Sequence, residues 1–430
     1  MRLARAPRPS RAPYSPFERP FDMRRPVAAL PIPEFVILLA IMVSTSALAT
    51  DIMLPALDVM GLDLGVDDPN SVQLIVSSLF LGFAVGQALA GPLSDSFGRK
   101  PVIYGGYAIF TIGCFMSLFA GNWEVMIAGR VLQGFGAAAP RIVTMALVRD
   151  GYEGRAMARI MSIVMAVFIL VPTVAPALGQ AVIWLSGWRA TFVVMIALGI
   201  FACLWFAARQ PETLPRPARR PFSARSIGAG LREIMASHVA VGHTVALGLI
   251  FGVFLSYLST AQQIFQVAYT TGPLFAVYFG MAALSIGGAS VVNSLLVMRL
   301  GMRHLTRLAL IGLAGLSFLF LIPAFAWDGT PPLALFMAWL ILAFFFVGIL
   351  FGNLTSIAME PLGHIAGLGA ALIGSLSNFI ALPISFYIGH LFDGTIVPLV
   401  AGFGLMGLLG LGVVQWAGRE RSTTRSRSGA

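Results

Sequence analysis

Charge is what this sequence lacks most. Only 11% of its 430 residues are Asp, Glu, Lys or Arg, whereas 58% are hydrophobic. Soluble domains carry roughly a quarter charged residues, so a surface this poor in charge cannot stay dispersed in water. The mean hydropathy of +0.87 agrees, and the expected solvent is a lipid bilayer. Lysine is nearly missing as well: Lys100 is the only one among 28 basic residues. Cysteine is down to two, Cys114 and Cys203, both inside apolar stretches. That excludes a disulfide framework, and no Cys/His spacing suits a metal. Both read as small buried hydrophobes. No glycine-rich phosphate cradle is present. His238, His243, His304, His364 and His390 have no carboxylate or nucleophile at catalytic spacing. A membrane enzyme is thereby disfavoured, and no metal or other cofactor is expected. The net charge of +10 would suggest nucleic acid in a soluble chain. Here it sits between apolar runs and at the ends, as in membrane loops, so no nucleic-acid partner is expected.

What is abundant is length of apolar run. A membrane-crossing helix needs roughly 20 mostly apolar residues. Twelve such runs are present, at 35–58, 72–94, 102–121, 125–148, 159–186, 189–208, 239–262, 273–298, 305–326, 332–356, 366–391 and 395–417. The uncharged stretch from Val239 to Met298 is too long for one crossing, and Thr271-Gly272-Pro273 splits it in two. Orientation follows from the basic residues of short loops. The odd-to-even connections carry Asp58, Asp63, Asp67, Asp68, Glu124, Asp328 and Asp393, with Arg189 as the exception. The opposite face carries Arg99, Lys100, Arg149, Arg155, Arg299, Arg303 and Arg307. That face is expected to be cytoplasmic, together with both termini. Ala47-Leu48-Ala49 looks like a cleavage site, but the preceding apolar region is too long for a signal peptide. It is expected to remain as the first span, and a mitochondrial presequence is weaker still.

The runs fall into two sets of six. Residues 1–33, rich in Arg and Pro, are expected to form a disordered basic cytoplasmic segment. Residues 34–208 form one six-helix half, 209–238 a basic cytoplasmic linker, 239–418 the second half, and 419–430 a basic tail. The fold class is thus an all-α membrane protein of twelve transmembrane helices in two six-helix halves. Such two-half proteins hold their substrate between the halves. A channel is disfavoured, because there is no filter-like repeat and one chain, expected to act as a monomer, supplies both halves.

The loop after the second run reads GPLSDSFGRK at 91–100. Gly91, Asp95, Gly98, Arg99 and Lys100 resemble motif A of the major facilitator superfamily at every signature position. Gly91 lets a neighbouring helix approach, and Gly98 permits a tight turn. Asp95 sits at a helix C-terminal end, unfavourable for an anion, so it needs Arg99 or the Arg149 end of span 4. The resemblance implies that this cluster latches the halves in one conformation and releases them in the other. Span 4, RVLQGFGAAAPRIVTMALVRD at 130–150, is similar to motif B, with Arg130 as its embedded arginine. Arg141 lies eleven residues on, about 20° past three full turns and about 16 Å lower on the same face. It either lines the interior or snorkels to the cytoplasmic surface.

Asp51 is the single acid inside the first apolar run, which ends at Asp58, in STSALATDIMLPAL at 44–57. This stretch resembles the acidic first-helix motif of the proton-coupled drug antiporters. Counted along their helices, Asp51 and Arg130 reach similar depths in a core of about 30 Å. They are expected to pair and to couple protons to transport, or else Asp51 is a cap near the outer face. In span 5, VPTVAPALGQ at 171–180 places Pro176 and Gly179 in a degenerate copy of the antiporter motif C. The proline is expected to kink the helix, and the small residues to let span 5 pack against the other half. Arg299, Gly301 and Arg303 look like a worn second motif A. MEPLGHIAG at 359–367 and LFDGT at 391–395 resemble the bicyclomycin/chloramphenicol-resistance branch. Glu360 and His364 there are expected to structure a loop.

No Asp or Glu lies within the apolar runs of the second half, and their one basic residue, Arg307, stands at the arginine-rich end of its run. Proton chemistry is therefore expected in the first half, with an apolar and aromatic wall opposite. Asp51, Arg141, Tyr257 and Asn378 are the candidate cavity residues, the last two also readable as helix packing. The resemblance spans roughly 35–418. It implies a proton-coupled antiporter that exports small drug-like molecules across a bacterial inner membrane. The alternative is a transporter of a physiological metabolite on the same fold.

Overall fold

The computed structural model describes residues 30–219 and 221–427. The expected disorder of 1–33 falls largely outside them, as does the end of the basic tail. The chain opens with α1 (Ile32–Asp51), α2 (Leu57–Asp63), α3 (Leu74–Phe97), α4 (Arg99–Leu118), α5 (Trp123–Gly151), α6 (Gly154–Ser186) and α7 (Arg189–Arg209). A short helix α8 (Ala224–Ala236) follows. The second half comprises α9 (His238–Gln263), α10 (Phe275–Leu300), α11 (Met302–Ala326), α12 (Leu333–Met359), α13 (Ala366–His390) and α14 (Val397–Arg427). No strand occurs among the described residues.

Eleven segments are long and apolar enough to cross a membrane, but one of them, Leu333–His390, runs for 58 residues. At about 1.5 Å per residue it would extend ~87 Å, nearly three times the hydrocarbon thickness. It breaks at Glu360–Ile365, where Leu362 leaves helical geometry at φ −108°, ψ 18°. The halves of that segment are α12 and α13, which gives twelve crossings. Short α2 continues α1 within the first crossing.

The surface answers the question of solvent. Leu62 is 80% exposed, Phe119 76%, Leu185 85% and Met298 85%. An apolar shell this extensive is stable only against lipid. In lipid the burial of apolar side chains brings helices together weakly, so close backbone approach takes over. A β-carbon placed on Gly82 would lie 1.8 Å from the Val131 carbonyl oxygen, and one on Gly134 1.9 Å from that of Leu79. Only glycine lets α3 and α5 meet this way.

The halves join along two helix pairs, α3 with α13 and α6 with α10. These are spans 2 and 11, and 5 and 8, as a two-fold relation between the halves requires. The linker is more ordered than its polar composition suggested. Ser223 caps α8 by accepting from the Ser226 amide. Gly230 and Ile234 are buried, Gly230 against Leu368 and Leu372 of α13. Beyond the last crossing, α14 continues to Arg427.

Candidate functional site

Asp51 is the last residue of α1, and Pro55 explains why. An α-helix bonds each amide to the carbonyl four residues before it. Proline has no amide proton, and its ring crowds that carbonyl. The α-helix therefore stops at Asp51, and the chain passes through the 3₁₀ turn Leu54–Ala56 before α2. Asp51 stands at this break, 3% exposed. Its carboxylate has no hydrogen bond or ion pair among the described residues.

The expected Asp51–Arg130 pair does not form. Arg130 is fully buried, yet its guanidinium is spent elsewhere. Nε donates to the Ile75 carbonyl at 2.9 Å and Nη1 to that of Ala49 at 3.1 Å. Nη1 also donates to Gln133 Oε1. Two of these acceptors are backbone oxygens at the ends of α1 and α3. The break after Asp51 leaves the Ala49 carbonyl exposed to such a donor, so equal depth does not bring the two charges together. Asp51 instead lies within electrostatic reach of Tyr257 on α9, across the interface. Tyr257 is buried against Phe344 and Phe279, ring centroids 4.8 and 5.7 Å away, and its hydroxyl has no partner among the described residues.

Arg141 does not snorkel. Side chains on a helix lean towards its N-terminus, which on α5 points away from the arginine-rich face. The guanidinium lies 5.2 Å from the Phe83 ring of α3 and 4.9 Å from the Phe168 ring of α6. Asn378 on α13 donates to Gln87 Oε1 on α3 at 3.1 Å, a direct bond between halves.

The loop at 91–100 is a dense polar cluster. Gly98, at φ 103°, turns the chain between α3 and α4. Buried Arg99 binds Asp95 at 2.6 Å, Asp150 at 2.9 Å and the Ser94 hydroxyl at 2.8 Å. Asp95 thus takes Arg99. Arg149 points elsewhere: a β-carbon on Gly367 of α13 would lie 3.3 Å from its Nη1. Gly91 faces α13 too, its nearest neighbour being Ala371.

The sequence reading missed Asp150 and Glu212. Glu212, just past α7, accepts from the backbone amides of Arg99 at 2.9 Å and Lys100 at 3.0 Å. An anion there caps the free amides that begin α4. Lys100 answers in kind, its ammonium donating to the Ala207 carbonyl at 3.1 Å and to the Gln210 carbonyl at 2.7 Å, at the end of α7. Thr213 adds a bond to Asp150 at 2.8 Å. The second half repeats the scheme: Gly301, at φ 76°, begins α11, and Arg303 binds Glu360 at 2.6 Å. His364, in the same loop as Glu360, meets Glu233 of α8 at 2.7 Å.

A family model described as Major Facilitator Superfamily matches residues 39–385, well over half the chain and across both halves. This protein belongs to the major facilitator superfamily. The chain is 28% identical over 376 residues to a bicyclomycin resistance protein homolog of Haemophilus influenzae, covering 86% of this chain and 92% of that one. It is likewise 28% identical over 357 residues to multidrug resistance protein D of Escherichia coli, covering 80% and 85%. Among solved structures, a D-xylose-proton symporter shares the fold at TM-score 0.71 and 14% identity, over 89% of this chain and 97% of that one. The human organic anion transporter MFSD10 does so at 0.65 and 16%, over 90% and 100%. This major facilitator is therefore a multi-pass membrane transporter.

Its antiporter-like segment in α6 packs against both halves. A β-carbon on Gly179 would lie 1.8 Å from the Ile52 carbonyl oxygen, so Gly179 seats α6 against the first half's own span, beside Asp51. Pro176 lies inside the same helix. Contact with the other half falls to Thr173, opposite Gly280 of α10. On the acid-rich face, polar bonds close the two halves of the facilitator together. Gln73 donates to Gln263 at 2.8 Å and to the Gly389 carbonyl at 3.0 Å. Asn70 donates to the Phe392 carbonyl at 3.0 Å, and Gln262 donates to Asp58.

Proposed function

We propose that this transporter is a proton-coupled antiporter that exports small drug-like compounds by alternating access, with its arginine-rich face and both termini in the cytoplasm of a bacterial inner membrane. The observation that carries this reading is Asp51: a carboxylate 3% exposed, at a helix break inside the first half, with no cation on it. An isolated charge in such a place is costly, and a bound proton is the simplest way to balance it. Opening to one side lets Asp51 release the proton; closing returns it. Arg130 holds the ends of α1 and α3 in register through backbone oxygens. The export direction and drug-like substrates draw on the relatives named for multidrug and bicyclomycin resistance.

The test is a susceptibility panel in an efflux-deficient bacterial host, with and without a collapsed proton gradient. Wild type should raise tolerance to several compounds only with the gradient intact, and Asp51→Asn should remove that tolerance. Full gradient-driven export by Asp51→Asn would sink the coupling role. Unchanged tolerance to every compound would favour a physiological metabolite as cargo.

A further inference from the structure

Two arginines share one face of α5, and they are not equivalent. Arg130 places Nε and Nη1 on two backbone oxygens and Gln133, leaving Nη2 without a partner among the described residues. Arg141 has no hydrogen bond and no carboxylate among the described residues. Its neighbours are the rings of Phe83 and Phe168, with centroids 5.2 and 4.9 Å from the guanidinium carbon. Aromatic faces offset only part of the cost of burying a cation. They accept no conventional hydrogen bond, so the guanidinium's donors stay free.

The position of Arg141 says what surrounds those donors. Phe83 lies on α3 and Phe168 on α6, the two first-half helices that pair with the second half. The guanidinium of Arg141 thus sits between a ring of each of the two helices that form the interface. It lies ten residues from the Gly151 end of α5, about 15 Å into the membrane. The second half cannot neutralise it, because its apolar runs carry no acid. What that half offers is aromatic: Phe251, Phe254, Phe344 and Phe351 pack edge to face or tilted within 6.1 Å of one another in linked pairs. Phe80 of α3 joins them through Phe251 at 5.6 Å.

We infer that Arg141 is the anion subsite of this transporter, and that its preferred substrates are aromatic molecules bearing a carboxylate. The guanidinium offers a planar fork that matches a carboxylate in bidentate fashion. The rings of Phe83 and Phe168 hold that fork in place, and the second half's aromatic cluster receives the substrate's flat body. The inference rests on the export reading and adds the chemical class of the cargo.

Binding of radiolabelled 2-naphthoic acid and of the near-isosteric, neutral 2-naphthamide to the full chain in nanodiscs tests it. Wild type should bind the acid about tenfold more tightly than the amide, one good charge-assisted contact. Arg141→Gln should bind the two alike, and Arg141→Lys, which keeps the charge without the fork, should fall between. Equal binding of acid and amide by wild type overturns the inference whether or not a variant folds. So does an equal loss of both ligands in a folded Arg141→Gln protein. Displacement of naphthoate by chloride would reassign the subsite to an inorganic anion and also overturn it. Failure of the proton reading is separate: it appears as gradient-independent transport in inverted vesicles, with the acid/amide discrimination intact.

Discussion

Arg130 and Asp51 sit at similar depths, but their side chains answer to different acceptors. Arg130 reaches the Ile75 and Ala49 carbonyls and Gln133 together because its donors fan out in a plane. Lysine has one nitrogen and cannot span them. Arg130→Lys is therefore expected to lose about 1–3 kcal/mol, the cost of stranded buried acceptors. It should be read as a lower unfolding temperature in detergent, with transport reduced alongside; an unchanged melting curve would deny the bridging role. Gly179 makes a second residue-scale case. A methyl group there meets the Ile52 carbonyl at 1.8 Å, and a backbone oxygen cannot swing aside as a side chain can. Gly179→Ala should cost about 1–3 kcal/mol by overpacking and shift the break that carries Asp51. Reduced export with normal membrane insertion is the expected result.

At the level of elements, the stretch after α7 acts as a strap. Glu212 holds the start of α4, Thr213 holds Asp150, and Lys100 holds the end of α7. These contacts fasten the 91–100 loop to the linker within one half, while Arg149 and Gly91 face α13 of the other. Glu212→Ala should free the segment carrying Arg216 and Arg219. Loss of charge-assisted bonds worth about 1.4 kcal/mol corresponds to about a tenfold rise in tryptic cleavage there. Glu212→Gln, which still accepts hydrogen bonds, should show a smaller rise. Equal cleavage in all three proteins would show that the strap does not restrain the linker.

The whole molecule is two bundles held by α3–α13 and α6–α10, with a cluster of polar bonds between halves at the acid-rich face. Gln73 and Gln263 are the centre of that cluster, both buried. Replacing both with alanine should favour the conformation open on that face. A cysteine at Asn70, introduced after Cys114 and Cys203 are replaced with alanine, should then react several-fold faster with a membrane-impermeant maleimide. No change in labelling would place the closing interactions elsewhere.

Length of apolar run and the placement of Arg were enough to read twelve crossings, because a bilayer imposes one length and one charge asymmetry on every helix. The 91–100 loop was legible for the same local reason: Gly98 and Arg99 act within a few residues of Asp95. Glu212 was not, because it caps α4 from 113 residues further along, and nothing in a one-dimensional pattern links the two. Of the two cations offered to Asp95, Arg99 is the one that binds it, and Asp150, one step along α5 from Arg149, joins Arg99 from a side turned by about 100°. Depth along a helix placed Asp51 and Arg130 level, but direction around the helix and the break at Pro55 decided that they stay apart. The sequence by itself determined the membrane, the two halves and the charges inside the first of them. Only the packed structure decided which charge bonds within its own half, Arg130, and which, Asp51 and Arg141, have no hydrogen bond among the described residues, because partner choice depends on angles and distances that helix counting does not contain.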